Sequence, residues 1–124
     1  MNTHTQKFLS LAAFMMALSV GIGAFGAHSL KSSLDVYSLG IFNTGVQYQF
    51  YHALGLLAIA LVLHVKQNLQ IRLAGYIMFA SIFIFSGSLY ALAMSSIKWL
   101  GAITPIGGAG FIVAWILLLV GVKR

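Results

Sequence analysis

The stretch LAGYIMFASIFIFSGSLYALAM, Leu73 to Met94, carries no charged residue. It reaches the roughly 20 helical residues that a hydrocarbon core about 30 Å thick requires. Three more stretches pass the same test: Phe8 to Ala27, about Gly45 to Leu63, and about Gly101 to Val122. The expected fold class is therefore an all-α integral membrane protein, one domain over residues 1–124, built as a four-transmembrane-helix bundle with spans at 8–27, 45–63, 73–94 and 101–122. Composition agrees, because 60% of the 124 residues are hydrophobic and 6% are charged, against roughly 25% charged in a soluble domain. A soluble domain of this length leaves too much of its surface in water to hide so many apolar side chains.

The other bulk properties exclude chemistry. With no cysteine there is no disulfide framework, Cys-based metal site or thiol nucleophile. Seven Lys and Arg against a single acid, Asp35, give a net charge of +6. The basic residues stand singly between apolar runs, without the stripe a nucleic-acid partner would need, so they are read as topology signals. With the N-terminus in the cytoplasm, that side holds Lys7, Lys66, Arg72, Lys123 and Arg124, and the outer side holds Lys31 and Lys98. Five against two leads us to expect a multi-pass protein of the bacterial cytoplasmic membrane with both termini in the cytoplasm.

Two segments admit more than one reading. Lys7, the apolar run from Phe8, and Ala24-Phe25-Gly26 before Ala27 have the outline of a cleavable signal peptide; we expect this segment to be kept as a membrane anchor. In the connection from His28 to Thr44, apolar residues such as Leu34, Tyr37 and Ile41 recur at roughly helical spacing among polar ones. The pattern fits either a short interfacial helix on the outer surface or an ordered loop.

Gly21-Ile22-Gly23-Ala24-Phe25-Gly26 spells the G-x-G-x-x-G string of dinucleotide-binding loops. It lacks the preceding strand and the acid about 20 residues later, so the match is accidental. Within a span, small residues let a second backbone come close, and Ser19, Gly23 and Ala27 form a small-xxx-small ridge. Gly107, Gly108 and Gly110 offer a similar packing surface in the fourth span, where Thr104 is expected to be the N-cap and Pro105 the first helical residue.

Polar residues inside the spans are few and unevenly placed. In the second span Gly45, Tyr48, Gln49, His52 and Leu56 share a helical face, and in the third Ser86 and Tyr90 do. With the orientation above, nearly all of these lie in the outer half of the bilayer. We expect one outer-half polar cluster of His28, Gln49, His52, Ser86, Tyr90 and Thr104. For His52 the sharp readings are a proton relay, a metal or haem ligand, or a ligand contact. The plain reading is a neutral imidazole tying helices together by hydrogen bonds, and it is preferred because a metal site needs more than one good ligand. His28 at the end of a span is accounted for by the helix dipole.

Four motifs in this order resemble the YgdD/YwdK-like family of small bacterial membrane proteins. They are Gly23-Ala24-Phe25-Gly26-Ala27-His28, Val46-Gln47-Tyr48-Gln49 with His52-Ala53-Leu54, Ser86-Gly87-Ser88-Leu89-Tyr90, and Ile103-Thr104-Pro105-Ile106-Gly107-Gly108 with Trp115. The resemblance covers essentially the whole chain. It implies a four-span plasma-membrane protein, for which membrane-stabilising roles have been proposed, and it brings no catalytic residue, substrate or cofactor.

Three functions compete at this level. The first is a non-enzymatic structural, membrane-stabilising or complex-supporting role, with membrane lipid, a second copy or other membrane proteins as partners and no cofactor, metal or nucleic acid. The second is an oligomeric transporter or channel with a polar site around His52, although no span holds the carboxylate that small proton-coupled transporters rely on. The third is a lipid, quinone or haem-binding protein, with His28 and His52 as conceivable axial ligands. The first is expected.

Overall fold

The computed structural model describes residues 1–124 and is entirely helical. Helix α1 spans Thr3–Phe25 and runs on through a π-helical turn, Gly26–Leu30; α2 spans Val36–Val65, α3 Leu69–Ser95 and α4 Thr104–Lys123, the last preceded by a 3₁₀ turn at Lys98–Ala102. All four are long and apolar enough to cross a membrane.

Three of the helices begin on a capping side chain. Asn2, Asp35 and Asn68 have extended backbones and accept from the amides of Thr5, Ser38 and Ile71, satisfying donors that a helix start leaves free. The caps explain why α1, α2 and α3 start before the expected spans. Hydropathy marks the part of a helix that sits in hydrocarbon, and the cap marks where the helix begins. Helix α3 ends at Ser96, the only non-glycine residue with positive φ, at 60°.

The connection after the first span resolves differently from either reading. Residues from Val36 onward are helical, but as the opening turns of α2. No separate interfacial helix forms, because nothing between Asp35 and Val65 breaks the hydrogen-bond ladder. At 1.5 Å per residue α2 is about 45 Å long, so it overshoots the hydrocarbon core or tilts within it.

The helices run up and down, with α2 and α3 as the central pair. Helix α1 packs mainly on α2, and α4 mainly on α3, while α1 and α4 do not touch. The bundle is therefore open along one side. At one end Asn2 Nδ2 donates to the Leu63 carbonyl at 3.0 Å, Asn68 Nδ2 to the Gly121 carbonyl at 2.9 Å, and Lys66 to the Val122 carbonyl at 3.0 Å. That end gathers Lys7, Lys66, Arg72, Lys123 and Arg124, and Lys31 and Lys98 fall at the other.

Buried residues of α1 recur at Thr5, Phe8, Ala12, Met15 and Ser19, the spacing of one helical face. Phe8, Ala12 and Met15 of this face join Leu56, Ile59, Leu63, Ile71, Met78 and Phe111 in the main core, near the basic end. A smaller core of Leu30, Phe42, Val46 and Ala93 lies toward the other end. Between the two comes a tier of polar side chains.

Close packing is set by small residues. A Cβ on Gly23 would sit 3.3 Å from Val46 Cγ1, and Ser19 is fully buried, as expected of the ridge. Ala27 is exposed, and Gly26 takes its place against the Phe42 ring. Eight residues after Ser19 a helix has turned about 80° off the starting face, whereas after seven it is about 20° off. On α4, Gly107 faces the backbone of Phe85, Gly110 the Ser81 hydroxyl and Gly121 the Ile71 side chain, while Gly108 is only in ordinary contact with the Phe85 ring.

Candidate functional site

The polar tier is assembled from three helices. Gln49 is buried on α2, where its Nε2 donates to the Met15 carbonyl of α1 at 3.1 Å and its Oε1 accepts the Tyr90 hydroxyl of α3 at 2.6 Å. Ser86, one turn before Tyr90, donates to the Gly45 carbonyl at 2.7 Å. Gly45 is required here, because a Cβ would meet the Tyr90 ring at 2.7 Å. Gln49, Ser86 and Tyr90 line a small cavity of about 170 Å³ with Met15, Leu18 and Ile82. In hydrocarbon no water is available to satisfy these groups, so they bond within the protein.

The other members of the expected cluster are elsewhere. Thr104 is not an N-cap: the cap position is Ile103, in αR conformation with no side-chain bond. The Thr104 hydroxyl is instead engaged with Ser88 Oγ at 2.6 Å, and Ser88 also bonds the Phe85 carbonyl at 2.9 Å. This pair joins the start of α4 to α3. His28 lies in the π-helical turn, exposed, with no hydrogen bond from its ring. It does not approach His52, which faces α4, a helix that α1 never meets. The six residues thus fall into three separate groups and an isolated His28.

His52 is buried, but it does not tie two helices by hydrogen bonds. Its Nδ1 donates to the Tyr48 carbonyl of its own helix at 2.8 Å. The link to α4 is a stacking contact, with the Phe111 ring 3.5 Å away between centroids and 10° from parallel, and Trp115 tilted at 5.9 Å. Tyr48 and Phe85, 4.6 Å apart, continue the aromatic wall. Together with Gly108 and Ala109 these residues bound a groove of about 550 Å³. No three His, Asp or Glu side chains gather anywhere in the protein.

Sequence reasoning did not find the Phe111 and Trp115 wall, the Ser88 partner of Thr104, or the bridging amides of Asn2 and Asn68. An Asn just before an apolar run is a readable helix-start signal. Its second bond, to the carbonyl end of the neighbouring helix, depends on packing that no local pattern records.

Four helices long and apolar enough to cross a membrane, three of them joined through the buried side chains of Gln49, Ser86 and Tyr90, define a four-span integral membrane protein. Residues 22–108 match the family described as Protein of unknown function (DUF423), and the chain belongs to that family. It is 46% identical over 118 residues to the UPF0382 membrane protein YwdK of Bacillus subtilis (strain 168), covering 94% of this chain and 96% of that one. It is 44% identical over 114 residues to the UPF0382 membrane protein SSP2132 of Staphylococcus saprophyticus, covering 92% and 94%, and 43% identical over 113 residues to SH2409 of Staphylococcus haemolyticus, covering 91% and 92%. The family resemblance carried by the four motifs is thereby confirmed. No solved structure matches the chain.

Proposed function

We propose that the protein is a non-enzymatic scaffold of the bacterial cytoplasmic membrane, with both termini in the cytoplasm, that supports membrane integrity or a membrane complex. One observation carries the reading. The polar side chains of Gln49, Tyr90, Ser86, Ser88 and Thr104 are joined to one another or to backbone carbonyls, an arrangement that fixes helices together without lining a route across the bilayer. The outer faces of the end helices support it as well: α1 exposes Phe14 and Val20, and α4 exposes Ile112, Ile116 and Leu119, apolar surface suited to lipid or to another membrane helix. Five basic residues at the end that carries both termini support the orientation.

A deletion strain tests the role. It should show raised membrane permeability, reduced membrane potential or heightened sensitivity to envelope stress, restored by the intact gene. Normal values of all three would count against a scaffold. Reporter fusions at both termini test the orientation, with a cytoplasm-dependent fluorophore expected to light up on each.

A further inference from the structure

His52 is 6% exposed, and the state of its ring follows from its one hydrogen bond. The Tyr48 oxygen can only accept, so Nδ1 carries a proton. In the neutral imidazole Nε2 is then a bare acceptor. No protein group donates to it, and it is not among the buried atoms sealed off without a partner. Its open side is the groove between α2 and α4. An unpaired acceptor at that depth has no bulk water to turn to.

The groove has the form of a small-molecule site. Its volume of about 550 Å³ lies within the usual range for ligand pockets, which are mostly apolar with few polar groups to fix orientation. Flat rings of Tyr48, Phe85, Phe111 and Trp115 form the walls, and Gly108 and Ala109 leave space among the bulkier side chains on the α4 side. These walls suit a planar ring better than a branched or acyl head, since aromatic pairs prefer stacked or edge-to-face arrangements.

We propose that this groove binds a lipid-soluble molecule with a planar aromatic head bearing a hydroxyl, a phenol or quinol, whose O–H donates to His52 Nε2. The direction of the bond sets the specificity. A molecule of the same shape that can only accept, such as an aryl ether or the oxidised quinone, leaves Nε2 unpaired and binds less well.

Naphthol and methoxynaphthalene differ by this donor and keep the same rings. Both are titrated into the full-length Trp99→Phe protein in lipid nanodiscs, following Trp115 fluorescence and the Nε2 nitrogen chemical shift of His52, with empty nanodiscs correcting for partition. Naphthol should bind about threefold to tenfold tighter than its ether, the range expected of one hydrogen bond in a membrane, and should move the Nε2 resonance. His52→Phe should abolish the preference while keeping a ring against Phe111. Ala109→Phe, at an exposed position of the groove, should block both ligands and leave the His52 hydrogen bond to Tyr48 intact, without adding a second tryptophan. Equal affinities in the starting protein, a preference that survives His52→Phe, or a naphthol-induced Nε2 shift that survives Ala109→Phe would each overturn the proposal.

Discussion

Tyr90 donates its hydroxyl to Gln49 Oε1 at 2.6 Å, and the amide nitrogen of the same Gln49 reaches the Met15 carbonyl at 3.1 Å. One glutamine therefore joins three helices, at the level where the two apolar cores separate. The main core alone would let α1 slide along α2, because lipid tails are as apolar as the side chains they replace. A hydrogen-bonded tier supplies a register that apolar packing in a membrane does not.

Replacing Tyr90 by Phe tests that tier. The ring is kept and the Gln49 oxygen loses its donor, so stability should fall by about 1 kcal/mol, with up to about 2 kcal/mol for the orphaned acceptor. Gln49→Leu should cost at least as much, since it leaves the Tyr90 hydroxyl without its acceptor and removes the link to the Met15 carbonyl, which keeps only its donors within α1, the Ser19 hydroxyl among them. The double variant should cost less than the sum of the two. Equilibrium unfolding in bicelles measures all three, and strict additivity would mean that the bond is energetically silent.

The glycines of α4 make a second, sharper contrast. A Cβ on Gly107 would lie 2.5 Å from the Phe85 amide nitrogen, a backbone atom that cannot move aside, whereas one on Gly108 would lie 3.8 Å from the Phe85 ring. Gly107→Ala should force α3 and α4 apart and cost about 2 kcal/mol or more. Gly108→Ala should be neutral or slightly stabilising, because alanine is the better helix former. Comparable losses at both positions would contradict the packing described.

These two neighbours also show what was legible in the sequence. Apolar run length revealed the four spans, and small-residue spacing found Ser19, Gly23, Gly107 and Gly110. It could not rank Gly107 above Gly108: the two point about 100° apart on the helix, and only the position of Phe85 shows which of them meets α3. The polar cluster failed for a related reason. Gln49 and His52 are three residues apart, about 60° around the helix, which is enough for one to face α1 and α3 and the other α4. Which crevice each enters depends on the order of helices around the bundle, and that order is not a local property of the chain.

Asn68 serves two helices at once: its Oδ1 accepts from the Ile71 amide at 3.0 Å and its Nδ2 donates to the Gly121 carbonyl. Asn68→Asp keeps the capping oxygen and removes the donor, whereas Asn68→Ala removes both. The alanine variant should lose about 1 to 2 kcal/mol, and the aspartate variant less. Amide exchange separates the two functions, with Ile71 deprotected only in Asn68→Ala and the end of α4 loosened in both. Equal deprotection of Ile71 in the two variants would remove the cap from the account.

Asp35, the only acid in the chain, makes the start of α2 sensitive to pH. The Ser38 backbone N–H donates to its carboxylate at 2.7 Å and, with the Ser38 hydroxyl, holds its pKa below the ordinary 3.8. The unfolded start of the helix therefore binds the proton more tightly than the capped one. The cap's contribution is fully present above the ordinary value and is lost as pH falls through the lowered folded value. Protection of the Ser38 amide, corrected for intrinsic exchange, should hold steady down to that ordinary value and then decline. Asp35→Asn should cap without titrating and remove the pH dependence, while Asp35→Ala should leave Ser38 unprotected throughout. A decline of the same shape in Asp35→Asn would assign the pH response to another group.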